Sequence, residues 1–422
     1  MRPETKFSIM KFITTIAIAA LSTSLIAQTT VTTGPSNALQ TYYSLQNGVV
    51  SSVPLAEWDL AFEIVGITGS IMVNTAKGMQ VYKAPYTVAQ WAALDTAGLA
   101  AGWASQQNSE TNWASGALNQ GLTSNPFDLG WGVYNMVSHN ITGDSLFVLK
   151  LADGSWKKLR IDSYAAGSDA FTFTWADPDG ANEQVGSLVR ANYAGKSFGY
   201  YSLTMNGAVD HEPAAASWDL LFTKYVGYVT QPSPTFYPLV GVLQNRGVSA
   251  LQVDGVPSAS AQWWGEDFST DINVIGADWK SFNMTTFQWE YAQDRTYFVT
   301  DRSGNIWKLV FTTYGGSANG DITFTKEMMS SVGVEEVADA GRMVLYPNPS
   351  NSGVVHVIMD ATINSATLSI VDVNGRAVAR QQLSGLSGLA QRTIDTSALA
   401  PGLYVVRLEG EGVGCTSRLV VE

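Results

Sequence analysis

The sequence predicts a mainly β protein, with two related β-rich domains carrying short helices and a smaller β-sandwich at the C-terminal end. Three observations predict it. Aromatic residues make up 11% of the 422 and charged residues only 14%, with 39 glycines, a balance of strand formers and turn formers. A set of aromatic motifs recurs in the same order at an offset near 160 residues. Beyond residue 341, short apolar runs alternate evenly with Pro, Gly and Asn turn signals.

The first element is residues 1–27. Arg2, Lys6 and Lys11 precede the apolar run Phe12–Leu21, and small residues lead to Ala27. The run is too short to span a bilayer, so it reads as a cleaved secretory signal peptide, and the rest of the chain is expected to hold no transmembrane segment. The net charge of −12, without a basic stripe, argues against nucleic acid as a partner. The single cysteine, Cys415, excludes an intrachain disulfide and a thiolate zinc site, so no metal site is expected.

The repeat sets the next two domains, residues 28–180 and 181–330. Tyr42-Tyr43-Ser44-Leu45 returns as Tyr200-Tyr201-Ser202-Leu203, and Trp58-Asp59-Leu60-Ala61-Phe62 as Trp218-Asp219-Leu220-Leu221-Phe222. Trp131 to Met136 matches Trp279 to Met284, and Phe147 with Trp156-Lys157 matches Phe298 with Trp307-Lys308 at an offset of 151. The offsets drift, so insertions are expected on the surface, in copy two around Gln231-Pro232-Ser233-Pro234 and in copy one between Trp91 and Trp131. Ser145–Lys150 and Trp156–Ile161 flank Asp153-Gly154, a hairpin turn, and Phe171–Trp175 is the third strand of a meander. Copy two repeats the plan with Tyr297–Val299, a turn at Ser303–Asn305, Trp307–Phe311 and Asp321–Thr325. Pro85–Ala101 reads as one helix. Trp58 and Phe62 alternate like a strand facing a core, with Asp59 pointing the other way to hold a neighbouring turn, and the same holds around Asp219.

The Tyr-Tyr-Ser-Leu opening, the Trp-Asp-Leu-x-Phe strand followed by Asn74, Gly78 and Tyr82, and the closing meander together resemble the HmuY-like family of secreted haem-binding proteins. The resemblance covers residues 41–175 and 199–326. It implies haem held through axial side chains, histidines in some members and methionines in others. Only His139, His211 and His356 occur in the chain, and His356 lies outside the repeats, so a two-histidine clamp in each copy is impossible. The resemblance then leaves Met136, His139 and Met284 as candidate haem ligands, since thioether and imidazole both bind haem iron. The plainer readings are core filling for the methionines and a surface position for His139.

Residues 331–341 form an acidic, small-residue linker. In residues 342–422, Leu345-Tyr346-Pro347-Asn348-Pro349, Asp372-Val373-Asn374-Gly375-Arg376 and Pro401-Gly402-Leu403-Tyr404 punctuate the strands of an immunoglobulin-like sandwich. This stretch resembles the type A C-terminal sorting domain of the type IX secretion system. The resemblance implies export to the surface or exterior of a Gram-negative bacterium, with the secretion machinery as a partner. The expected function is a haemophore-like carrier that takes haem, free or from a haem-carrying host protein. The alternative is a surface adhesion or display protein without haem. No nucleophile–base or metal constellation is visible, so neither enzymatic activity nor catalytic residues are expected.

Overall fold

The computed structural model describes residues 28–66, 69–120, 124–230, 232–264, 266–330, 342–351, 353–360, 363–372, 376–386, 389–410 and 413–422. The signal peptide, the linker 331–341 and the Asn374-Gly375 turn lie outside the described residues. The chain is mainly β, with only short helical turns.

Two extended antiparallel sheets carry the repeat. In the first, Gln184–Val189, Ala170–Ala176, Trp156–Ala165, Ser145–Lys150 and Gln80–Thr87 follow one another across the sheet, and Ser105–Gln106 pairs beyond them. In the second, the order is Gln28–Thr32, Asp321–Ser330, Ile306–Tyr314, Arg295–Thr300 and Ser249–Asp254. The plans match strand for strand, and each meander sits where its sequence places it. The edge strand beside the meander comes from elsewhere in the chain. Gln28–Thr32 pairs with the last strand of copy two, Gln28 opposite Thr325 and Thr32 opposite Asp321. Gln184–Val189, which leads into copy two, closes the sheet of copy one.

The smaller sheets cross in the same way. Tyr43 of copy one lies opposite Leu220 of copy two. Tyr201 of copy two lies opposite Leu60 of copy one. Each tyrosine strand therefore pairs with the Trp-Asp strand of the other copy, and the cores follow the pairing. Tyr201 and Leu203 pack with Leu60, Phe62, Phe147 and Phe173, whereas Val31, Tyr43 and Leu45 pack with Leu220, Phe222, Phe311 and Phe324. Burying side chains of this size contributes about 1.5–3 kcal/mol each, so the crossing segments bind the two halves strongly. The hydrogen bonds and cores thus run out of phase with the 28–180 and 181–330 division: residues 28–54 build into the second unit and residues 184–203 into the first. A motif repeat marks equivalent strands and carries no information on which copy pairs with which.

Three local expectations change. The hairpins at Asp153-Gly154 and Ser303-Gly304 are equivalent at an offset of 150, with Phe147 opposite Leu159 and Tyr297 opposite Leu309. The Trp156/Trp307 match is therefore one residue out of register, and one residue flips a strand side chain to the other face. Trp307 packs into the inner core, and Trp156 against the outer cluster of Leu146 and Val148. Pro85–Ala101 is no single helix. Pro85 lies within the strand Gln80–Thr87, at a break in its pairing with Ser145–Lys150, and a 3-10 turn Val88–Ala93 and one helical turn Leu99–Gly102 follow. Proline cannot donate to the ladder, and a pairing irregularity is where a strand tolerates it. The insertion before Trp131 is also more than a surface loop: Ala117 and Leu118 are fully buried.

The C-terminal region is a two-sheet sandwich. Arg342–Tyr346, Val354–Asp360 and Leu389–Asp395 form one sheet; Ala377–Leu386, Ile363–Asp372, Gly402–Gly410 and Val413–Val421 form the other. Val355, Val357, Ile370, Val406 and Leu408 fill the space between.

Candidate functional site: the cleft between the repeats

Strand exchange brings the repeated aromatic motifs face to face. Two carboxylates anchor the crossing. Asp59 accepts from the Leu203 N–H at 2.7 Å and from the Ser202 hydroxyl at 3.3 Å, and Asp219 accepts from the Leu45 N–H at 2.7 Å. Each therefore holds the turn after the other copy's tyrosine strand, a structural role of the kind the sequence suggested. Asp59 also pairs with Lys77 at 2.7 Å, whereas Asp219 meets the Arg302 N–H at 3.3 Å and the Ser44 hydroxyl. Asn74 and Asn245 are a second matched pair. Asn74 donates to the carbonyls of Leu55 and Trp58, and Asn245 to those of Ala215 and Trp218.

These anchors fix four rings in two edge-to-face pairs. Trp58 meets Tyr200 at 5.2 Å and 72°, and Trp218 meets Tyr42 at 5.0 Å and 73°. Neither tryptophan shares a core with its expected partner. Trp58 packs with Ala61 and Met72, while Phe62 points into the first core with Leu60. The strand begins only at Leu60, after a 3-10 turn at Leu55–Glu57, so the two-residue period does not reach back to Trp58.

The pseudo-symmetry also breaks at Gln40. The Trp58 indole donates to Gln40 Oε1 at 3.0 Å. The equivalent of Gln40 in copy two is Phe198, two residues before the second tyrosine pair as Gln40 is before the first. Trp218 Nε1 is buried and, among the described residues, has no hydrogen-bond partner. Gln40 also receives His211 Nε2 at 2.7 Å and donates to Thr223. Burial pushes the His211 imidazole down to about 4, and the ammonium of Lys196 adds to this, so the ring is neutral. Next to it, burial lifts the Glu212 carboxyl to about 7 against the pull of the Ser197 and Phe198 N–H groups that it accepts. Burial and the nearby Glu212 charge hold the Tyr42 and Tyr200 hydroxyls protonated.

Around these residues runs a cleft with about 90 Å³ of free volume. Its floor is buried and mostly ring carbon: Tyr42, Trp58, Tyr200 and Trp218, with Leu221 and Leu243. Its half-buried mouth lies at Ala76, Asn108–Glu110 and Lys224–Val226. Trp113, delivered by the copy-one insertion, covers part of it, its indole donating to the Gln244 carbonyl at 2.8 Å and its ring edge-on to Phe198.

Gln40, Trp113, His211 and Glu212 were not singled out by sequence reading. Gln40 was detectable as a mismatch flanking a repeated motif. Trp113, on an insertion without a counterpart, carried no such signal. The sequence-derived candidates stand elsewhere. Met136 and Met284 do occupy equivalent positions, on turns opened by Asn135 and Asn283, whose side chains accept from the N–H groups two and three residues on. Both are neither ligands of a pocket nor core filler: they are 63% and 73% exposed. His139 is a surface residue that ends the first turn with positive φ, and its Nδ1 meets the Tyr134 hydroxyl at 2.6 Å. None of the three lines the cleft.

The C-terminal sandwich is decided by comparison with known proteins. Residues 344–422 match the secretion system C-terminal sorting domain. This sorting domain directs the protein to the surface or exterior of a Gram-negative bacterium and implies contact with the type IX machinery. No helix among the described residues is long and apolar enough to cross a membrane. No curated protein matches the chain. Among solved structures, the chain is similar to the trimeric ectodomain of the C. elegans fusion protein EFF-1, at 8% identity over 93% of this chain and 91% of that one. The TM-score is 0.16.

Proposed function

We propose that the duplicated region is an extracellular binding module, carried out of the cell by its sorting domain, which takes a small ligand in the cleft between its repeats and performs no chemistry on it. The observation that supports this reading is the cleft itself, where four rings from both copies converge on a buried floor behind a half-buried mouth. Ring walls with few polar atoms are the usual lining of a small-molecule site.

Haem fits this reading less well, although the motifs of residues 41–175 and 199–326 resemble the HmuY-like family. Met136, His139 and Met284 stand outside the cleft, and its 90 Å³ falls short of the roughly 300–1,000 Å³ of drug-sized pockets. The test is a titration of the secreted protein with haem, run beside a thermal-unfolding screen of small ring compounds. The expected result is an unchanged Soret band and a raised Tm with at least one small compound. A Soret shift abolished by replacing Met136 and Met284 would restore the haemophore reading, and a screen without any response would favour adhesion or display.

A further inference from the structure

The copy-one insertion builds a second recess beside the mouth of the cleft, a polar groove with about 660 Å³ of free volume. That lies within the roughly 300–1,000 Å³ of small-molecule sites. Its walls are residues 105–112 with Ser115 and Gln120, and Asn108–Glu110 line both recesses. Each of these wall side chains carries an amide, a hydroxyl or a carboxylate, and none is cationic. The segment is braced from within. Asn108 accepts from the Val73 N–H at 3.2 Å and donates to the Val73 carbonyl at 2.8 Å, and the Ser109 hydroxyl oxygen receives the N–H groups of Thr111 and Asn112. Polar groups held in place before binding lower the ordering cost of a ligand. The amide oxygens of Gln106 and Gln107 are buried in the wall and closed to a ligand. Two other oxygens are open. Glu110 gives Oε1 to the Tyr228 N–H at 2.8 Å, and Gln120 donates its amide to the Ser115 hydroxyl at 3.1 Å. Glu110 Oε2 and Gln120 Oε1 have no partner among the described residues, and neither is shut off from solvent. The Ser115 hydroxyl, which accepts from Gln120, keeps its own proton to donate. At the rim stands Phe236, 47% exposed, with Tyr228, 51% exposed, edge-on to it at 5.3 Å across the hairpin.

We propose that this groove binds a short neutral oligosaccharide, with one sugar ring laid on Phe236 and its hydroxyls bound by Glu110, Gln120 and Ser115. The site goes beyond the small-ligand cleft and does not depend on it. A sugar hydroxyl both gives and accepts a hydrogen bond, so it matches a wall that presents acceptors and a donor together. The C–H face of a pyranose is the apolar surface that covers an exposed aromatic ring, whose negative face attracts C–H groups. An anionic sugar would bring its charge to Glu110 with no cation in the groove to receive it. An apolar ring compound would strip water from the amides and hydroxyls of the walls without replacing its hydrogen bonds.

The experiment titrates the full secreted chain by calorimetry with four neutral trisaccharides, maltotriose, cellotriose, xylotriose and N-acetylated chitotriose, beside sialyllactose and a tryptic digest of casein. At least one neutral trisaccharide is expected to bind, about tenfold or more tighter than sialyllactose. Phe236→Ala removes the platform and should weaken that binding about tenfold or more, whereas Phe236→Tyr keeps it within about twofold. Glu110→Gln retains an oxygen for the Tyr228 N–H and replaces the open one with an amide, so it too should cost about tenfold, the value of one hydrogen bond to a charged group. This variant keeps the test open if Phe236→Ala disturbs the hairpin. Val137→Ala, at a 91% exposed position outside the groove, leaves affinity unchanged. Trisaccharide binding that survives both Phe236→Ala and Glu110→Gln overturns the groove as the site. Tighter binding of sialyllactose or of casein peptides overturns the ligand class. Silence from all four trisaccharides overturns the proposal, and a response to the ring compounds alongside that silence leaves the cleft reading standing.

Discussion

The two repeats share one set of motifs but differ in how they are completed. In copy one the Trp58 indole is satisfied by Gln40 and the Asp59 carboxylate by Lys77. In copy two Phe198 replaces the glutamine, Trp218 is left without an acceptor, and Asp219 is held by the Leu45 and Arg302 N–H groups and the Ser44 hydroxyl. The copy-one insertion then lays Trp113 across the junction. Duplication built a symmetric scaffold, and the cleft's character comes from where the symmetry fails.

The comparison can be broken at its anchors first. Asp59→Ala strips two donors and leaves Lys77 without its buried partner, a loss of about 3–5 kcal/mol, whereas Asp219→Ala loses about 2 kcal/mol. Urea unfolding of the two variants checks the order, and equal losses would contradict it. Asn74→Ala and Asn245→Ala each orphan two buried carbonyls and are expected to cost similar amounts, about 2 kcal/mol.

Glu212 and His211 sharpen the comparison through pH. With its pKa held at about 7, Glu212 keeps a proton in the fold that the unfolded chain sheds above 4.5, so it lowers stability as pH rises from 4.5 to 7. With its pKa held at about 4, His211 does the reverse, since the unfolded chain takes up a proton below 6.5 and stability rises from pH 4 to 6.5. Between pH 4.5 and 6.5 the slopes oppose each other. Glu212→Gln should expose the rising slope of His211, up to about 1.4 kcal/mol per pH unit, in unfolding curves taken across that range. A flat profile in the variant would show that His211 is free to protonate in the fold.

The smallest expected effect falls on the indoles. Trp58→Phe loses a made hydrogen bond, about 1 kcal/mol. Trp218→Phe removes an orphan donor and is close to neutral in the ligand-free protein. A larger loss from Trp218→Phe than from Trp58→Phe would mean that the copy-two indole has an acceptor in solution.

Much of the fold was legible in the sequence. The Asp153-Gly154 hairpin, the three-strand meanders and the strands around Asp372 and Tyr404 follow from turn chemistry and alternation. The register of Trp156 against Trp307 was not, because a one-residue ambiguity in a short motif is invisible until the hairpin turn aligns it. Nor was the exchange of Tyr43 and Tyr201 between cores, since pairing across copies leaves no local mark. The cleft was half legible. Its rings belong to the repeated motifs, whereas Gln40, His211 and Glu212 act through neighbours far away in the chain, Glu212 by holding Ser197 and Phe198 and His211 by reaching Gln40.

The strand Gln28–Thr32 completes the sheet of the second unit. Thr30 and Thr323 face each other across that junction, hydroxyls 3.0 Å apart and open to solvent. Thr30→Cys with Thr323→Cys, in a Cys415→Ser background, should form a disulfide on mild oxidation that raises the unfolding temperature. Two cysteines that both remain reactive to a thiol reagent after oxidation of the folded protein would place the N-terminal strand elsewhere and contradict the exchange.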